Sequence, residues 1–284
     1  MKKILIVIAI IFVSTLTTFG QYSGKKSYIA QAVVGDGWRT GMRCVNNDQA
    51  AGHAVGFSFN LFENSSRYLG ELPWVRENQI WVKGTAWGAG QFAIFLPADS
   101  SSFHIFDKTS PGFIVGWVEI SQDNETVEHM TCSQGIQFFS GGKFQTEVSV
   151  LPSLPLSIHK FPILISSTEG QNGGVALANI NQVPMRVTFT LTRPGSALDG
   201  VSVTREVASR GHFAGFVTEL FRGITSDRDY VERGVIGVSL SITGRGLNDS
   251  PTNPEPLFFP ALALNTRETT EKGFTMTTIS APSR

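Results

Sequence analysis

Val187-Thr188-Phe189-Thr190-Leu191 alternates an apolar side chain with a hydroxyl at every step. That period of two belongs to a strand with one face on a core and the other in water. Val187, Phe189 and Leu191 are expected inward, with Thr188 and Thr190 outward. Phe57-Ser58-Phe59-Asn60-Leu61 reads the same way, with Phe57, Phe59 and Leu61 facing a core. Two further pairs of segments flank these. Gly41-Met42-Arg43-Cys44-Val45-Asn46 lines up with Gly174-Val175-Ala176-Leu177-Ala178-Asn179, each Gly standing five residues before its Asn. Val115-Gly116-Trp117-Val118-Glu119-Ile120-Ser121 matches Val235-Ile236-Gly237-Val238-Ser239-Leu240-Ser241. Three matches in the same order indicate an internal repeat.

The strand-like runs are separated by Gly, Pro, Asn and Asp, and no regular helical pattern lies between them to make parallel crossovers. The expected fold class is therefore all-β, with two tandem antiparallel β-sandwich modules. Leu151-Pro152-Ser153-Leu154-Pro155-Leu156-Ser157 has two Pro, no charge and no clear period, and reads as an extended linker. We place a first module at 22–150, the linker at 151–160 and a second module at 161–284. Phe213, Phe216, Val217 and Leu220 have the spacing of one helix face, which predicts a helical turn along one edge of the second module.

This pattern resembles a family of tandem Ig-like β-sandwich repeats of secreted and surface bacterial proteins. The likeness rests on the Gly41–Asn46 and Gly174–Asn179 strands, on Gly211-His212-Phe213 leading to Glu219-Leu220-Phe221, and on the Val235–Ser241 strand. The first module departs from it, with a longer loop after Asn46 and no counterpart of the Phe213 turn. The resemblance implies a fold and an extracytoplasmic location, and no shared activity.

Lys2 and Lys3 precede an apolar run of ten residues from Ile4 to Val13, followed by the small polar stretch Ser14–Thr18 and then Phe19-Gly20-Gln21. That order reads as a secretory signal peptide over 1–20, cleaved after Gly20. Ten residues are too few for a permanent span, which takes roughly 20. Export to the periplasm, the cell surface or the medium is the expected localisation, with no membrane span after cleavage. Removing 1–20 takes away two Lys and no acid, leaving 21 basic against 23 acidic residues. Binding nucleic acid by counterion release needs a clustered basic excess, which this chain lacks.

Cys44 and Cys132 are the only cysteines. Both sit in or beside strand-like runs, so an oxidising compartment admits one bridge, and two separate buried thiols fit the spacing equally well. The five His, at 53, 104, 129, 159 and 212, are scattered without metal-ligand spacing, so no metal or other cofactor is expected. Ser157-Ile158-His159-Lys160 satisfies a Ser-x-x-Lys pattern but lies in the linker rather than in a helix, where the Lys would reach the Ser. Asn46-Asn47-Asp48, Asp227 with Asp229, and Asn248-Asp249 offer oxygens without a calcium-loop alternation.

All five Trp belong to the first module, at 38, 74, 81, 87 and 117. Along Val115–Ser121 the inward set is Gly116, Val118 and Ile120, which leaves Trp117 and Glu119 on the outer face. Trp81 shares parity with Lys83. An outward indole offers a flat apolar platform for a sugar ring or another protein, so Trp117 and Trp81 are the candidate ligand-binding residues. The competing expectation is that a loop or the neighbouring module covers these rings. The functional expectation is an exported, non-enzymatic protein of adhesion, recognition or architecture, with a polysaccharide or a surface protein as partner. The alternatives are a carbohydrate-binding accessory module using the Trp of the first module, and a hydrolase whose site gathers residues such as Asp36, His53 and Ser58.

Overall fold

The computed structural model describes residues 26–46, 55–63, 74–77, 80–83, 91–96, 100–107, 112, 114–122, 130–166, 170–221, 236–247, 256–268 and 274–279. The segment read as a signal peptide lies outside the described residues. The first half contributes β1 (Lys26–Val34), β2 (Trp38–Asn46), β3 (Val55–Glu63), β4 (Trp74–Glu77), β5 (Ile80–Lys83), β6 (Gln91–Leu96), β7 (Ser100–Asp107), β8 (Ile114–Gln122), β9 (Met130–Ser140) and β10 (Lys143–Val150). The second contributes β11 (Ile158–Ile165), β12 (Gln171–Ala178), β13 (Met185–Thr192), β14 (Ser202–Val207), β15 (His212–Phe216), β16 (Ile236–Gly246), β17 (Ala261–Glu268) and β18 (Phe274–Ile279), with a single helical turn, α1 (Val217–Leu220).

The strands form four sheets, ordered β1-β8-β3-β6, β10-β9-β2-β7-β4-β5, β11-β16-β13-β14 and β15-β12-β17-β18. Every pairing within them is antiparallel. Matching β1 with β11, β2 with β12, β3 with β13, β6 with β14, and β7–β10 with β15–β18 reproduces both sheet orders of one half from the other. The hairpin β4-β5 is extra, added beyond β7 at the edge of the six-stranded sheet. All three sequence matches fall on equivalent strands, β2 with β12, β3 with β13 and β8 with β16.

The alternation has its expected consequence in β13, where Val187, Phe189 and Leu191 are fully buried. On the other face, the Thr190 and Ser202 hydroxyls lie 2.8 Å apart across the β13-β14 pair. Phe57, Phe59 and Leu61 stand on β3, but their side chains lie outside the described residues. Phe161, Ile163, Leu177, Val187, Phe189, Leu240 and Ile242 join the two sheets of the second half into one core. In the first half, Ile29, Val118 and Ile120 of one sheet meet Met42, Cys44, Cys132 and Ile136 of the other.

The helical expectation for Phe213–Leu220 holds only at its end. Phe213 and Phe216 lie on β15, and the helix is limited to Val217–Leu220. Gly215 between the two Phe disfavours a helix, and β15 instead gains a full antiparallel ladder with β12.

The segment 151–160 is not a free tether. The Ser153 N–H donates to the Tyr28 carbonyl of β1, Leu156 and Phe259 exchange two backbone hydrogen bonds, and β11 begins at Ile158. Leu262 and Met276 of the second half belong to the apolar cluster of the first. The two halves therefore meet in a continuous packed seam.

Candidate functional site

Trp117 sits on the face of β8 opposite Val118 and Ile120, as its parity requires, but the expectation that it is open to solvent is corrected. Its side chain is 0% exposed. The outer face of the β1-β8 pair is covered by the second half, so Trp117 packs with Tyr28, Ala178 and the partly buried Ile180. The Trp117 and Tyr28 ring centroids are 6.1 Å apart, and the indole Nε1–H donates to the Arg210 carbonyl at 3.0 Å. Glu119, two residues along the same face, is buried and receives Lys26 at 2.9 Å and Arg210 at 3.4 Å. A buried carboxylate needs such cations to offset its lost hydration.

The turn that meets Trp117 is built by a buried amide. Asn179 Nδ2 donates to the carbonyls of Val183, Val207 and Ala208, and its Oδ1 accepts from the Asn181 backbone N–H. The Asn179 N–H in turn donates to the Gly211 carbonyl. These bonds hold Arg210 at φ 58°, a left-handed conformation that a non-glycine side chain adopts at a cost of about 1–2 kcal/mol. Its carbonyl is thereby aimed at the indole. The repeat equivalent, Asn46, is also fully buried.

His212 completes the seam. Its ring is buried, and Nε2–H donates to the Ala30 carbonyl of the other half at 2.9 Å. Loss of hydration pushes its pKa down to about 4, against the opposing effect of that carbonyl. His159 is shifted down for the same reasons, buried beside Phe161 and Phe259 with Nε2–H donating to the Phe259 carbonyl at 2.7 Å.

Cys44 and Cys132 face each other across β2 and β9 and are joined, with the sulfurs 2.03 Å apart. Trp81 lies on β5 opposite Arg76, and its side chain lies outside the described residues. Of the residues considered for a hydrolase, Asp36 is a turn residue that accepts the Gly112 N–H at 2.9 Å. Ser58 stands on β3 with its side chain outside the described residues, and His53 lies outside them altogether. Lys160 is on a strand, so the Ser-x-x-Lys pattern has no helix to act from. Among the described residues no group of His, Cys, Asp or Glu is arranged to hold a metal ion. Among them, too, no helix is long and apolar enough to cross a membrane.

Among the described residues of the first half, exposed aromatic surface lies elsewhere, on the outer face of the six-stranded sheet. β2 presents Arg39, Gly41 and Arg43 there, between β9 and β7. The Arg39 guanidinium lies 4.4 Å from the centre of the Phe139 ring, and that of Arg43 lies 5.6 Å from Phe103. Phe139 meets Phe144 edge to face at 5.7 Å. Phe103 is 43% and Phe144 54% exposed, unusual values for large rings. Gly41 leaves room for the Phe103 ring, since a Cβ there would stand 3.0 Å from it. Beside them Gln137 donates to Glu147 at 2.9 Å. Sequence reasoning missed this face because its rings come from three strands. One signal was legible: Phe138-Phe139-Ser140-Gly141-Gly142-Lys143-Phe144 is a hairpin with aromatics on both arms. Both central Gly have positive φ, 56° and 77°, which a two-residue hairpin turn requires.

Comparison with known protein families, with curated proteins and with solved structures found no match to this chain.

Proposed function

We propose that the protein is an exported, non-catalytic recognition protein built from two tandem Ig-like β-sandwich modules. In this reading the outer face of the six-stranded sheet is its contact surface for an acidic polysaccharide. The observation that carries the proposal is the Arg43 guanidinium laid over the half-exposed Phe103 ring, on a sheet face that also presents the exposed Phe144. Phe rings offer apolar platforms to the C–H faces of sugars. The Arg43 guanidinium over the Phe103 ring presents a planar fork of donors that suits a carboxylate or sulfate. Export is inferred from the Lys2 to Gly20 pattern, and the buried Cys44–Cys132 link suits an oxidising compartment. The tandem Ig-like reading is supported by the strand-for-strand equivalence of the two halves.

A glycan array spanning acidic and neutral polysaccharides tests this. Selective retention of uronic-acid or sulfated chains is expected, with affinity falling tenfold or more in Arg43→Ala and in Phe144→Ala. Phe144 is more than half exposed, so its substitution leaves folding intact. Equal retention of neutral chains, or binding indifferent to both substitutions, contradicts the proposal.

A further inference from the structure

The seam brings together groups that no part of the proposed recognition face uses. His212 at the start of β15 reaches across to the Ala30 carbonyl of β1, and Trp117 of β8 reaches back to the Arg210 carbonyl. Glu119 ties Lys26 of β1 and Arg210 of the opposing turn together. The apolar part of the contact comprises Tyr28, Trp117, Ala178 and Ile180, with Leu262, Leu264 and Met276 against the core of the first half. Polar atoms hold the rest of the joint, and one of them belongs to a side chain whose solvated form changes charge near neutrality.

We propose that this seam is an acid-released latch, closed while His212 is neutral and opened when the imidazole takes up a proton, which exposes Trp117 and Tyr28. A cation at His212 would be buried against β1, β8, β12 and α1. Among the described residues, the charged side chains those elements bring are Lys26 on β1, Glu119 on β8 and Glu219 on α1; β12 brings none, and the turn before β15 brings Arg210. Glu119 is already shared by Lys26 and Arg210. Lys26 and Arg210 add like charge to the joint. Opening returns the ring to water, where it is charged and hydrated at low cost.

Burial holds the closed-state pKa of His212 down to about 4, against 6.5 for a solvated ring. The stabilisation of the closed form is complete above 6.5 and is lost as pH falls through that value toward 4. The closed-to-open ratio falls by about 30-fold at pH 5 and roughly 150-fold at pH 4. The released surface carries the indole that the closed molecule conceals.

Hydroxyl-radical footprinting of the full chain across pH 8 to 4 reads this opening. Met42 and Met185, each fully buried within one half, report general unfolding. Oxidation of Trp117 and Tyr28 is expected to rise several-fold between pH 6.5 and 4 while both Met remain protected. His212→Gln keeps an N–H donor for Ala30 but cannot titrate, and flattens the response; His212→Asn serves if that variant fails to fold. Glu119→Gln retains the rise between pH 6.5 and 5. The proposal is overturned if Trp117 stays protected throughout, if it is exposed only together with Met185, if the response survives in the His212 variants, or if Glu119→Gln abolishes it.

Discussion

Asn179 is the residue on which the geometry of the seam depends most. Its amide donates to three backbone carbonyls, that of Val183 and those of Val207 and Ala208 where β14 ends and the following turn begins. Asn179→Ala is expected to cost about 2–4 kcal/mol, because buried acceptors lose their donors. Asn179→Asp, nearly identical in shape, is expected to cost more, since it turns a carboxylate toward those carbonyls. Urea unfolding checks both, with the midpoint falling in the order wild type, Ala, Asp. An Asp variant as stable as wild type would show that the amide donors are not what holds the turn. This residue was partly legible in the sequence, where the Gly-to-Asn spacing marked both Asn46 and Asn179. Trp117 was legible only by half. Alternation fixes which face a side chain takes, because it is local geometry. What covers that face comes from Ala178 and Arg210, the latter 93 residues away in sequence, and no periodicity records it.

At the scale of elements, the Cys44–Cys132 bond joins the paired strands β2 and β9 and closes a segment of 88 residues. Cross-linking so long a segment restricts the unfolded chain, and removing the link is expected to cost about 3–5 kcal/mol. Guanidinium unfolding of Cys44→Ala/Cys132→Ala against wild type measures this; a midpoint that does not move would mean the link adds nothing to the first half. Strands with clean alternation, such as β13 and β16, could be recognised because one face is buried and one wet. β15 was misread because Phe213, Phe216, Val217 and Leu220 fit a helix period by coincidence of a strand running into one helical turn. The aromatic face went unseen for a different reason. Phe139 and Phe144 meet only through the β9-β10 pairing, and Phe103 shares their face only through the β7-β2-β9 register, so the pairing must be known before the surface can be read.

At the scale of the whole molecule, duplication and covering are the two organising facts. Both halves repeat one strand order, yet they are not used alike. The outer face of β8 presents Trp117 and Glu119 to a partner half, whereas the matching face of β16 presents Gly237 and Ser239, both exposed. Leu262 and Met276 lie in the first half's core cluster, and the 151–160 segment is hydrogen-bonded at Ser153 and Leu156. Unfolding of either half therefore removes apolar and polar partners from the other. Differential scanning calorimetry at neutral pH, where His212 is uncharged, tests this coupling most directly. A single cooperative transition is expected for the wild-type chain, resolving into two when Trp117→Ala breaks the seam. Two independent transitions in the wild type, with Trp117→Ala shifting only one of them, would contradict the account.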